Sequence, residues 1–183
     1  MSYVISRADE ARSVAMNLAS IVEQHRDNNT TADDEQSYGI VVKCYTNVGS
    51  ISAWGKISID AREIISIDAR TLRHVALVTV ETGGDYPQTG IAAIDYDDVE
   101  KLCAAIEKIK SIDPKSTKFG FIEAEISQDD LKVVVFNDNR GKMHCSIGAD
   151  GHSVHMELAR LSEVIHLLKK AKSTIEACRS AAA

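Results

Sequence analysis

The chain has 183 residues, 44% of them hydrophobic and 26% charged, a composition that supplies a packed core and excludes a fibrous or disordered polymer. Its 21 basic and 27 acidic side chains leave a formal net charge of −6, so bulk charge does not hold it to phosphate backbones or anionic lipid, and any such site has to be a local patch. No window approaches the roughly 18 consecutive apolar residues of a spanning helix, and Arg7, Asp9, Glu10 and Arg12 break the stretch where a secretory leader needs an apolar run.

Over residues 1–37 the apolar positions Ala11, Val14, Ala15, Leu18, Ile21 and Val22 recur at helical spacing, with Ser6 and Asp9 as a capping pair. This predicts an amino-terminal helix over 6–25, and the polar run 27–37 predicts a linker after it.

Residues 38–113 begin a β-rich unit. The runs 38–45, 54–61, 63–69 and 74–80 are dense in Val and Ile, with turn residues at Asn47-Val48-Gly49-Ser50 and Gly83-Gly84-Asp85. The near repeat ISIDAR at 57–62 and 65–70 reads as two neighbouring strands of similar pattern. A short strand follows at 90–94, and Asp95, Asp97 and Asp98 then open a helix over 97–111 whose stripe is Val99, Leu102, Cys103, Ile106 and Ile109. Acids at its start and Lys108 and Lys110 at its end suit the helix dipole. Asp113-Pro114 closes the unit.

Residues 114–183 repeat this grammar, with strands expected at 119–126, 131–136, 142–147 and 153–156 and a helix over 158–177. At a constant offset of 62 residues Ile94 falls on Met156, Val99 on Leu161, Leu102 on Val164, Ile106 on Leu168 and Lys110 on Lys172. The predicted fold is therefore α+β: tandem antiparallel sheet-plus-helix units about a pseudo-twofold axis, their two long helices adjacent, with an extra amino-terminal helix.

Motifs that carry chemistry are scarce. His144 and Cys145 point to opposite faces of a strand, as do His152 and His155, so one sheet face does not gather them around a metal. The glycine-rich stretch 82–90 joins two strands and holds no basic residue, which makes it a hairpin loop and not a phosphate loop. Cys44, Cys103, Cys145 and Cys178 form no C-x-x-C pair and fit reduced thiols in a cytoplasmic protein. No serine sits in a G-x-S-x-G context. No catalytic residue, metal or cofactor is expected.

What remains is the sheet surface, where cations alternate with aromatic side chains in a mixture suited to tracking phosphates while stacking bases. The candidate site residues are Lys43, Tyr45, Trp54, Lys56, Lys132, Arg140 and Lys142. The order strand, strand, long hairpin loop, short strand and helix in REIISIDARTLRHVALVTVETGGDYPQTGIAAIDYDDVEKLCAAIEKI resembles the Whirly and positive-cofactor-four fold of single-strand DNA-binding transcription factors. That resemblance implies two units paired helix to helix and a single-strand-binding role. The chain lacks the family's lysine-rich strand motif, so no site residue is carried over from it. The expectation is a non-enzymatic binding protein taking single-stranded DNA or RNA on its sheet surface. The alternative is a self-associating interaction module whose partner is a second copy or another protein, in either case without a membrane.

Overall fold

A computed structural model of the chain describes residues 39–181. The expected helix over 6–25 and its linker lie outside the described residues. Strands β1 (Val41–Ala53), β2 (Gly55–Ser66), β3 (Thr71–Thr82) and β4 (Thr89–Asp95) form one four-stranded antiparallel meander. Helix α1 (Val99–Lys110) follows. Strands β5 (Glu123–Gln128), β6 (Leu131–Asn137), β7 (Met143–Ala149) and β8 (His152–Glu157) form a second meander, and helix α2 (Leu161–Ala181) follows that. A short 3-10 turn precedes each helix, at Tyr96–Asp98 and Leu158–Arg160. No described helix is long and apolar enough to cross a membrane.

The tandem grammar is thus a tandem architecture. Val99, Leu102, Cys103, Ile106 and Ile109 of α1 are all buried, and so are the residues 62 positions on, Leu161, Val164, Ile165, Leu168 and Ala171 of α2. The reason is common to both: a 3.6-residue period stacks these positions into one apolar stripe that has to be covered.

How the stripes are covered is less expected, because each helix lies against the other unit's sheet. Helix α2 packs on β1, β2 and β3, whereas α1 packs on β5 and β6. The helices also pack on one another and run antiparallel. Lys110, at the end of α1, donates to the Ser162 hydroxyl at the start of α2 (2.9 Å), while Tyr96 and Glu100 meet Glu176 (2.8 Å) and Lys172 (3.4 Å) near its end. Buried residues of both units accordingly form one hydrophobic cluster, from Ile57, Ile59 and Val78 to Val133, Ile147 and Leu168. Each such side chain contributes roughly 1.5–3 kcal/mol by leaving water.

Three expectations about the strands are corrected. The repeated ISIDA run is not two strands, because β2 runs unbroken from Gly55 to Ser66, through the first copy and into the second, whose remaining residues form the turn at 67–70. Nothing at Ala61-Arg62 breaks the chain, and Ile57, Ile59 and Ala61 keep a strict inward alternation. Nor is Asn47-Val48-Gly49-Ser50 a hairpin turn. It is a bulge within β1, where the register to β2 shifts between Asn47 and Gly49. The hairpin turns instead at Trp54, made possible by Gly55, whose φ of 135° and contact with the Glu81 carbonyl exclude a side chain. Phe119 and Phe121, expected in a strand, precede β5 and are exposed.

Candidate functional site

The bulge decides what the first sheet shows to solvent. Between Trp54 and the bulge the register pairs Ser52 with Lys56 and Ser50 with Ser58; beyond it Asn47 pairs with Asp60, Tyr45 with Arg62 and Lys43 with Ile64. In an uninterrupted hairpin Thr46 would stand beside Arg62 and Tyr45 would turn inward, since a one-residue slip moves every side chain to the other face. One extra residue, the buried Val48, re-aims Tyr45 and Lys43 outward. Helix α2 holds that arrangement: Leu167 packs over Gly49, and Lys170 Nζ donates to the Val48 carbonyl oxygen at 3.0 Å.

On this outer face the Arg62 guanidinium lies under the Tyr45 ring, 5.1 Å from its centroid, and bridges to Asp60 at 2.8 Å. Asn47 donates its side-chain amide to the same Asp60 carboxylate at 2.9 Å. Beside them Val75 and Leu77 are buried although they point away from the shared core, so the face has an apolar floor. Arg62 Nε is enclosed without a hydrogen-bond acceptor among the described residues. Tyr45 itself is 68% exposed, so one ring face is backed by a cation and the other is open. Lys43 and Lys56 flank the group on this face, and Arg73 is taken up by Asp95 at 2.7 Å.

The outer face of the second sheet is built differently, with its cations consumed by carboxylates. Lys132 bridges to Glu125 at 2.7 Å and Lys142 to Glu157 at 3.0 Å. Those bonds hold the Glu125 and Glu157 carboxyls below the usual range. Phe136 stacks on His144, with centroids 6.0 Å apart, and meets His155 edge-on at 5.9 Å. The two histidines share a face because β6, β7 and β8 lie side by side, which residue spacing alone does not reveal.

Asp138 organises the β6–β7 turn. Its Oδ1 accepts from the backbone N–H groups of Lys142 (2.9 Å) and Arg140 (2.8 Å), and its Oδ2 lies 3.3 Å from His144 Nε2. The Lys142 N–H foremost, with those of Arg140 and His144, lowers the Asp138 pKa. A carboxyl that titrates lower folded than unfolded stabilises the fold fully above its unfolded pKa, and that contribution is lost as the pH falls through the lowered folded value. Asp138→Asn is therefore expected to lower the urea midpoint at pH 7. The gap to the native protein should narrow as the pH falls below about 4, the ordinary carboxyl value, and close only below the lowered folded value, where the native side chain also becomes neutral. A gap of constant size down to pH 2 would show that the charge is not what holds the turn.

The seven expected site residues thus do not form one patch. Lys43, Tyr45 and Lys56 share the outer face of the first sheet, and Trp54, 86% exposed, stands at the tip of its hairpin. Lys132 lies on the second sheet, and Arg140 and Lys142 lie in its β6–β7 turn. Arg62, the centre of the first face, is legible only once the bulged register is known. A shallow hollow between β1 and α2, lined by Ser50, Ile51, Glu163, His166 and Leu167, is no centre of chemistry, because Arg160 already occupies the Glu163 carboxylate at 2.8 Å. Burial pushes the Cys145 thiol up to about 12 and raises Cys103 as well, which leaves both thiols protonated and unreactive at neutral pH.

No protein-family model, no curated protein and no solved structure matches this chain.

Proposed function

We propose that this protein is a non-enzymatic binding module that takes up single-stranded nucleic acid on the outer face of its first sheet. The observation that carries the reading is the Tyr45 ring, backed by Arg62 at 5.1 Å and open on its other side. A cation behind an aromatic ring both fixes the ring and leaves its free face available to a base. Lys43 and Lys56 supply cations for phosphates on either side, and Trp54 offers a second stacking surface at the hairpin tip. Of the acids on the face, Asp60 and Asp95 are bonded to Arg62 and Arg73, and Glu81 stands opposite Lys56. The second sheet is a poorer candidate, since Lys132 and Lys142 are already neutralised. The exchange of helices between the sheets supports a pseudo-twofold relation between the units, and with it the resemblance to the Whirly and positive-cofactor-four fold.

Fluorescence anisotropy of labelled single-stranded DNA and RNA at low salt tests this. A base–aromatic stack is worth roughly 1–3 kcal/mol, so Tyr45→Ala should weaken binding about 5- to 150-fold. Lys43→Glu should weaken it and flatten its dependence on salt, whereas Lys132→Glu should change it little. The reading fails if the native protein binds neither oligonucleotide more tightly than about 10⁻⁴ M, or if Tyr45→Ala binds as well as the native chain.

A further inference from the structure

Strand β1 is an edge of the first sheet, and its two halves are treated differently. Along the half nearer the hairpin, helix α2 and the turn before it close the edge: Arg160 of that turn donates to the Ser52 carbonyl and Lys170 of α2 to that of Val48. Along the other half, Val41 to Asn47, no such cover is present among the described residues, and Val41, Lys43, Tyr45, Thr46 and Asn47 are all exposed. The Ile67 N–H donates to the Ile40 carbonyl at 3.0 Å, which places Ile40, Val42, Cys44 and Thr46 as the residues whose backbone faces β2. Val41, Lys43, Tyr45 and Asn47 therefore turn their N–H and C=O groups outward. An extended, unprotected row of this kind is a template for another strand.

We infer that a second copy of this chain occupies that edge, its own Val41–Asn47 segment pairing antiparallel with the first about a twofold axis through Cys44. Three observations select this occupant and this register. The outward residues are all odd-numbered, so only registers that pair odd with odd satisfy the backbone groups. The open segment is bounded at one end by the bulge with its Lys170 cap. At the other end Ile40 is bonded back to Asp68 at 2.7 Å, so only an axis at the midpoint, Cys44, uses the whole segment. That register sets Lys43 of each copy opposite Tyr45 of the other and Val41 opposite Asn47, with no like charges facing. Centring on Lys43 would oppose two lysines, and centring on Tyr45 would run the pairing into the Lys170 cap.

The dimer so formed carries an eight-stranded sheet whose outer faces join into one surface, with Lys43 and Tyr45 of both copies at its middle. It does not depend on nucleic-acid binding. It also places the two Cys44 residues as a non-hydrogen-bonded cross-strand pair, about 4.5 Å apart at Cα, within the span a disulfide bridges.

Sedimentation of the full chain from about 1 to 300 µM tests the inference, because a dimer at equilibrium responds to concentration. The expected result is a shift from the 19.9 kDa monomer to twice that mass. Lys43→Pro removes one outward N–H without touching the ladder to β2, and should raise the dimer dissociation constant at least tenfold. Lys43→Gln, which keeps the donor, should leave the dimer intact. In a Cys178→Ser background, mild oxidation should trap a covalent dimer that Cys44→Ser abolishes. A native chain that stays monomeric throughout overturns the inference, as does a dimer unaffected by Lys43→Pro. If Lys43→Pro does not fold, failure of Cys44 to cross-link overturns it alone.

Discussion

Replacing Gly90 by alanine is expected to lower stability by at least about 3 kcal/mol, at the severe end for a single methyl group. Gly90 lies on β4 facing inward, where a Cβ would overlap the carbonyl oxygen and carbon of Ala149 on β7. Both sides of that contact are backbone, each held in its own ladder. Relief therefore requires one sheet to move against the other and opens the cluster that both share. Gly120→Ala is the matched control, since a Cβ there meets nothing within 4 Å. Urea unfolding followed by far-ultraviolet circular dichroism reads both variants. A Gly90→Ala midpoint corresponding to less than about 1 kcal/mol of loss would mean that the sheets are not in register at β4 and β7.

Leu168→Ala is expected to cost about 2–5 kcal/mol, with Tm falling roughly 2–4 °C for each kcal/mol. Leu168 is fully buried on α2, the helix that lies on β1, β2 and β3 while packing against α1. The cavity it leaves lies between units, so the loss should be felt in both. Amide hydrogen exchange should accelerate in β2 and in β6 together, where a helix serving only its own sheet would loosen one of them. Lys169→Ala, one residue on and exposed, should change stability by less than about 0.5 kcal/mol. Exchange confined to the second sheet would refute the reciprocal packing.

Much of the fold was legible in the chain itself, for reasons that are local. The apolar stripe from Val99 to Ile109 and its copy from Leu161 to Ala171 follow from the 3.6-residue period, and both are buried. The inward positions of β6, Leu131, Val133 and Val135, follow from a period of two, and Asn137 to Gly141 turns because Asp138 bonds its own backbone. Where the local signal was ambiguous the reading failed. Asn47-Val48-Gly49-Ser50 has the residues of a turn, yet it lies within a strand because α2, more than a hundred residues later, packs Leu167 on Gly49 and caps Val48. The ISIDA repeat looked like two strands because nothing in its composition states how long a partner strand runs beside it.

The candidate site divides along the same line. The amino-acid sequence by itself determined that basic and aromatic residues are interleaved through the β segments. Lys43, Tyr45, Trp54 and Lys56 were named on that ground. Only the tertiary structure decided which of them stand together. The bulge at Val48 turned Tyr45 onto Arg62, and cross-strand pairing spent Lys132 on Glu125 and Lys142 on Glu157. Side-chain direction in a strand is a matter of parity, and parity is reset by a single inserted residue whose position is fixed by what packs on it from elsewhere in the chain.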